Sequence, residues 1–132
     1  MHVLTISTSH TTELIDISSQ VQAAVNELEF KDGVLFAFCP HTTAGLTLNE
    51  NWDPDVRYDM LLTLDGHIVP EDSRHRHAEG NSTAHIKSSL FGLNTMVFVE
   101  NGKVQLGRWQ GIYLAEFDGP RQRTVWLKFL GG

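Results

Sequence analysis

Apolar and polar positions alternate over residues 3–7, the period of a strand with one buried face. Residues 13–18 repeat the pattern less cleanly. Ser18 or Ser19 then caps a helix whose apolar stripe is Val21, Ala24, Val25 and Leu28. Lys31-Asp32-Gly33 reads as a turn, and residues 34–39 are nearly all apolar, which predicts a strand buried on both faces. A second short strand is expected over 45–49. Asp53-Pro54 starts a helix, because Asp caps and Pro suits the first helical position. Val56, Met60, Leu61 and Leu64 form its buried face, and Asp65-Gly66 ends it.

The pattern changes over residues 75–92, which hold three of the seven histidines and begin with no strong period. Gly80-Asn81 reads as a turn, since both tolerate positive φ. Ser82 caps a short helix and Gly92 closes it in the left-handed conformation. Beyond Gly92 the chain is β-rich: strands over 95–100 and 103–106 flank Asn101-Gly102, the strongest hairpin signal present. Strands over 112–117 and 124–130 follow, separated by the Asp118-Gly119-Pro120-Arg121 turn. Strands at both ends with two or three helices between them predict a single α+β domain over 1–132, built on an antiparallel sheet or a compact sandwich.

Composition narrows the class. At 132 residues the chain is one domain by length, with 41% hydrophobic and 20% charged residues. A formal net charge of -6 argues against a nucleic-acid surface. The single Cys39 excludes an internal disulfide and fits a reducing compartment. The first ten residues lack the pattern of a signal peptide, and no apolar run is long enough to span a bilayer. A cytoplasmic protein without membrane or nucleic-acid partners is the expectation.

Three polar clusters are candidates for chemistry. The first follows the apolar strand: His41, Thr42, Thr43, Asn49, Glu50, Asn51, Asp53 and Asp55. The second is the 75–92 stretch, with His75, His77, Glu79, Asn81, His85, Lys87 and Ser88. The third is Arg108, Gln110, Glu116 and Arg121. Neutral imidazole suits zinc and similar metals, so His41, His77 and His85 are a candidate facial metal site with an open position. The His77–His85 spacing is no standard metal motif. Lys87, Arg108 and Arg121 offer positive charge to a phosphate. Glu50 or Glu116 is placed as a general base or as the orienting partner of a histidine, with Gln110 beside them. Thr42, Asn49, Asn51, Asp53, Asn81 and Ser88 are candidate substrate contacts. Each also has a plainer role: Asp53 as a helix cap, Trp109 as core, Arg121 as an exposed turn residue, and His2, His10 and His67 as surface residues. Cys39 has no activating partner and is not expected to be a nucleophile.

His41-Thr42-Thr43-Ala44, Asn49-Glu50-Asn51, Asp53-Pro54-Asp55-Val56, Glu79-Gly80-Asn81, Ala84-His85-Ile86-Lys87-Ser88-Ser89-Leu90 and Leu106-Gly107-Arg108-Trp109-Gln110-Gly111-Ile112 together resemble the YjbQ, or UPF0047, family. Arg108 stands where that family usually has Thr. The key histidine ahead of Glu-Gly-Asn is assigned to His77, with His75 as the alternative. The resemblance implies a small α+β domain with a β-sandwich-like core, a homotrimer, and a cleft lined by the shared histidines that sometimes holds a metal. It also implies a secondary thiamine-phosphate synthase activity, joining hydroxymethylpyrimidine diphosphate to thiazole phosphate with release of pyrophosphate. Zinc fits the histidines, and magnesium would accompany the substrate. A metal-dependent hydrolase of a small phosphorylated molecule and a non-catalytic trimeric binding protein are the alternatives.

Overall fold

A computed structural model describes all residues, Met1–Gly132. The elements in order are β1 (His2–Ser7), β2 (Glu13–Asp16), α1 (Ser18–Glu27), β3 (Gly33–Phe38), β4 (Ala44–Glu50), α2 (Pro54–Thr63), a π-helical turn (Leu64–Ile68), α3 (Ser82–Phe91), β5 (Asn94–Glu100), β6 (Lys103–Gln105), β7 (Gln110–Glu116) and β8 (Gln122–Gly131). The strands form two antiparallel sheets. One has the order β1-β8-β3-β5-β6 and the other β2-β7-β4. The ten-residue β8 is the spine of the larger sheet, pairing with β1 through its first half and β3 through its second.

Period-two alternation sends Leu35, Ala37, Val97, Val99, Val125 and Leu127 inward from the larger sheet. They meet Ala44, Leu46, Ile112 and Leu114 of the smaller sheet and Val21, Ala24 and Val25 of α1. Each large aliphatic side chain buried there contributes roughly 1.5–3 kcal/mol. A smaller cluster of Leu64, Ala84, Ala115 and Phe117 joins α3 and the π-helical turn to β7.

Several expectations are corrected. Residues 34–38 are not buried on both faces: Leu35 and Ala37 are buried, but Phe36 and Phe38 point outward and are exposed, beside Met96 and Phe98 of β5. The strand covered on both faces is β7, whose residues Gly111–Glu116 are all buried, because the core lies on one side and α3 with the π-helical turn lies on the other. The face expected for α2 is only half-buried in Val56, Met60 and Leu61, and no residue within α2 is buried. That helix is tied down instead by Arg57, whose Nη1 donates to the Tyr113 hydroxyl at 2.9 Å. Asp65-Gly66 does not end it; the chain continues in the π-helical turn. Neither Ser18 nor Ser19 caps α1, where Asp16 Oδ1 accepts from the Ser18 N–H instead. Ser82 is the first residue of α3, and Asn81 occupies its cap position.

Other signals match. Asp53 Oδ1 accepts from the Asp55 N–H at 2.9 Å with Pro54 next to it. Asn101 and Gly102 have φ of 52° and 75°, as a hairpin with two left-handed central residues requires. Gly45 lets α3 dock on β4: a Cβ there would sit 2.8 Å from the Gly92 carbonyl oxygen. Ser88 secures the same contact, its Oγ donating to the Ala44 carbonyl at 2.6 Å.

Candidate functional site

The first turn of α3, the loop between β3 and β4, and the turn between β7 and β8 converge at one end of the smaller sheet. Gly80, at φ 72°, reverses the chain so that its N–H bonds to the His77 carbonyl and Asn81 can open α3. His85, one turn into α3, then faces His77 edge-on, with ring centroids 5.3 Å apart and planes at 81°. Around them Thr42, Thr43, Glu79, Asn81, Asp118 and Arg121 complete a cavity of about 220 Å³ with no apolar side chain in its lining. A second, shallow and open depression of about 450 Å³, lined by His75, Ser82 and Ile86, adjoins it and shares His77 and His85.

The charged groups of this pocket are held in register. Asp118 Oδ2 accepts from Asn81 Nδ2 at 2.8 Å and from Arg121 Nη2 at 2.9 Å. Arg121 Nε also donates to the Asp118 carbonyl. The guanidinium is therefore aimed by its neighbours while remaining half-exposed, which is more than an exposed turn residue. Asn81 Oδ1 is buried and has no hydrogen-bond partner. His77 Nε2 lies 3.9 Å from Glu79 Oε1 at the open side.

Behind the pocket lies a closed cluster. Glu116 and Arg123 are fully buried and paired, with Nε to Oε1 at 2.8 Å. Thr8 donates to Glu116, Arg123 Nη2 donates to the Thr43 hydroxyl at 2.8 Å, and the Asp118 N–H donates to Glu116 Oε2. Burial opposes ionisation of Glu116, but hydrogen bonds from Arg123, the Asp118 amide and Thr8 outweigh it and hold its pKa below 4.5. With both carboxylate oxygens engaged, Glu116 is a structural anion and not a free base.

His41 stands apart from the other two histidines. Its Nε2 accepts from the Thr124 N–H at 3.0 Å, so the neutral ring carries its proton on Nδ1. Partial burial, then the Arg123 charge, depress its pKa below 6.5. The lone pair that a metal would take is already used. The expected His41–His77–His85 triad does not assemble, and no three His, Cys, Asp or Glu side chains are arranged to hold one ion. The residues of this chain do not fit a three-histidine metal centre.

The remaining candidates are dispersed. Glu50 and Gln110 pair at the far end of β4 and β7, six residues and so roughly 20 Å along the strands from the Ala44–Glu116 pair. Asn49 and Asn51 bond locally to Met60 and Asp16, Gln110 Oε1 closes the turn at Gly107, and Asp53 is a helix cap. Arg108 lies over the ring of Trp109, which is 45% exposed rather than core and packs edge-on against Trp52. Ser88 is a helix-docking residue, and Lys87 faces away from His85 into a different cavity. His10 is exposed but accompanied, its Nδ1 2.7 Å from Glu13 Oε2. Asp118 had no signal beyond its place in a turn, and Thr8 and Arg123 had none.

No helix is long and apolar enough to cross a membrane. Residues 2–132 match the sequence profile of the UPF0047 protein YjbQ-like family. The chain is 49% identical to the UPF0047 protein YugU of Bacillus subtilis, over 99% of each chain. It is 47% identical to a UPF0047 protein of Methanocaldococcus jannaschii, over 96% of this chain and 91% of that one. A crystal structure of a YjbQ/UPF0047 protein from Clostridium acetobutylicum superposes with a TM-score of 0.93 at 49% identity, covering 98% of this chain and 100% of that one. A YbjQ-like protein of unknown function from Sulfolobus solfataricus superposes with a TM-score of 0.91 at 30% identity, covering 99% of this chain and 96% of that one. The chain belongs to the UPF0047, or YjbQ-like, family.

Proposed function

We propose that this protein is a homotrimeric enzyme of the thiamine-phosphate synthase type, acting on phosphorylated small molecules in the His77–His85 cleft. The observation that carries the reading is that a polar cavity and the open depression adjoining it share this histidine pair. A transfer between two substrates needs two lobes, with groups at their junction that stabilise charge on the leaving group. In the polar lobe, the Arg121 guanidinium and the hydroxyls of Thr42 and Thr43 suit the oxygens of a diphosphate. The methylene carbon of the pyrimidine then loses its C–O bond, with the electron pair leaving on pyrophosphate. The thiazole nitrogen supplies the pair for the new C–N bond. The Arg121 guanidinium, with ring N–H donors of His77 and His85, offsets the charge that develops on the leaving group. Any magnesium would arrive with the diphosphate. A metal-dependent hydrolase is less well supported, since it needs a ligand set that this chain does not bring together.

The trimer rests on a separate observation. The outer face of the larger sheet exposes Phe36, Phe38, Met96 and Phe98 side by side, an apolar area that suits contact with further copies of the chain.

The test is pyrophosphate release from hydroxymethylpyrimidine diphosphate with thiazole phosphate, with and without magnesium, alongside metal analysis of the purified protein. The reading expects turnover that His85→Ala abolishes. Release that never exceeds the buffer rate, or that survives His85→Ala, overturns it.

A further inference from the structure

Helix α3 has a second functional side. Thr83 and Lys87 lie four residues apart and share one face, about 200° around the helix from His85. That face lines a separate, partly open cavity of about 410 Å³, whose other walls are the π-helical turn, the segment after it, Phe117 and residues 11 and 12.

Lys87 is only 4% exposed. Burying an ammonium is costly unless its protons find acceptors. Its protein acceptor is the Asp65 carboxylate, on a π-helical turn, a local geometry frequent at functional sites. The Phe117 ring lies 5.8 Å from Nζ. An ammonium has three N–H donors. Asp65 takes one, and the others are left to whatever fills the cavity. At the exposed rim, Glu71 Oε1 accepts from Thr83 Oγ1 at 3.1 Å.

The cavity thus has one cation in its wall and two carboxylates, Asp65 and Glu71, nearer solvent. Thr11, Thr12 and Thr83 add only hydroxyls. Asp65 balances the Lys87 charge but leaves two of its N–H donors free, and the Glu71 charge has no cationic partner, so an anion alone would meet Glu71 and a cation alone would leave the Lys87 donors unused. A molecule with both charges complements both. We propose that this cavity binds a small zwitterion of amino-acid type, its carboxylate on the Lys87 ammonium and its own ammonium on Glu71. The site is independent of the histidine cleft and of the reaction assigned there.

Calorimetric titration of the full chain with the standard amino acids, and with acetate, ethylamine and inorganic phosphate, tests it. At least one amino acid should saturate one site per chain and bind more tightly than the three single-charge probes. Lys87→Gln and Glu71→Gln should each weaken it at least about tenfold, the loss of one charge-assisted contact. Glu71 is exposed, so Glu71→Gln keeps the test valid if Lys87→Gln fails to fold. His85→Ala should leave the affinity unchanged. No saturable amino-acid binding, affinity matched by acetate, ethylamine or phosphate, or full affinity in Glu71→Gln overturns the proposal.

Discussion

Two polar clusters meet at Thr43. On one side Glu116, Arg123 and Thr8 are buried and bonded to one another. On the other, His77, His85, Glu79 and Arg121 surround a cavity, with hydrogen-bonding capacity left over. Both contain a carboxylate and a guanidinium, so residue type does not distinguish them. Saturation does. A buried charge with every partner in place holds the fold, whereas a fixed charge with spare donors can take a ligand.

The largest expected effect is on the closed side. Arg123→Met leaves Glu116 buried and unpaired, which should cost about 3–5 kcal/mol. Denaturant unfolding measures it, and a loss under 1 kcal/mol would mean the pair is not the anchor described. Thr43→Val removes a hydroxyl that serves both clusters. It should cost about 0.5–1.5 kcal/mol, because Arg123 Nη2 loses one acceptor but keeps the Thr43 carbonyl and Glu116, and should weaken ligand binding as well. A stability loss without a binding loss would assign Thr43 to the scaffold alone.

Acid should separate the clusters in order. His41 has a folded pKa below its unfolded value of 6.5, so the unfolded state binds the proton first. Its contribution is complete above pH 6.5 and is lost as pH falls through the folded value. Glu116 behaves likewise from 4.5 downward, its ionised form being the one the fold favours. Melting temperature against pH should show the first decline starting near 6.5. His41→Gln, whose amide oxygen can still accept from Thr124, should remove that decline and keep the later one. The smallest expected stability effect is in the open pocket: His85→Ala should change unfolding by no more than about 0.5 kcal/mol, and a cost of several kcal/mol would make His85 scaffold.

The sequence revealed local structure better than convergence. Asp53-Pro54 and Asn101-Gly102 were readable because their chemistry is complete within two residues. Residues 34–38 misled because an unbroken apolar run looks the same whether its outer face is covered by this chain or left exposed. Lys87 was grouped with His85 because they are two residues apart, yet on a helix that spacing puts them on opposite faces. Glu116 and Arg121 looked equivalent until the packing buried one and left the other at a cavity. Glu50 and Gln110 belong to polar clusters that the sequence displays without showing that β4 and β7 carry them to the end opposite Ala44 and Glu116.

The central claim is that His77 and His85 form a ligand cleft. It is tested most directly by nuclear magnetic resonance of ¹⁵N-histidine-labelled protein titrated with pyrophosphate. The account predicts saturable shifts of the His77 and His85 ring signals with those of His2, His10 and His67 unmoved, and loss of the His77 response in His85→Ala. Equal shifts at all five histidines, or none at His77 and His85, would contradict it.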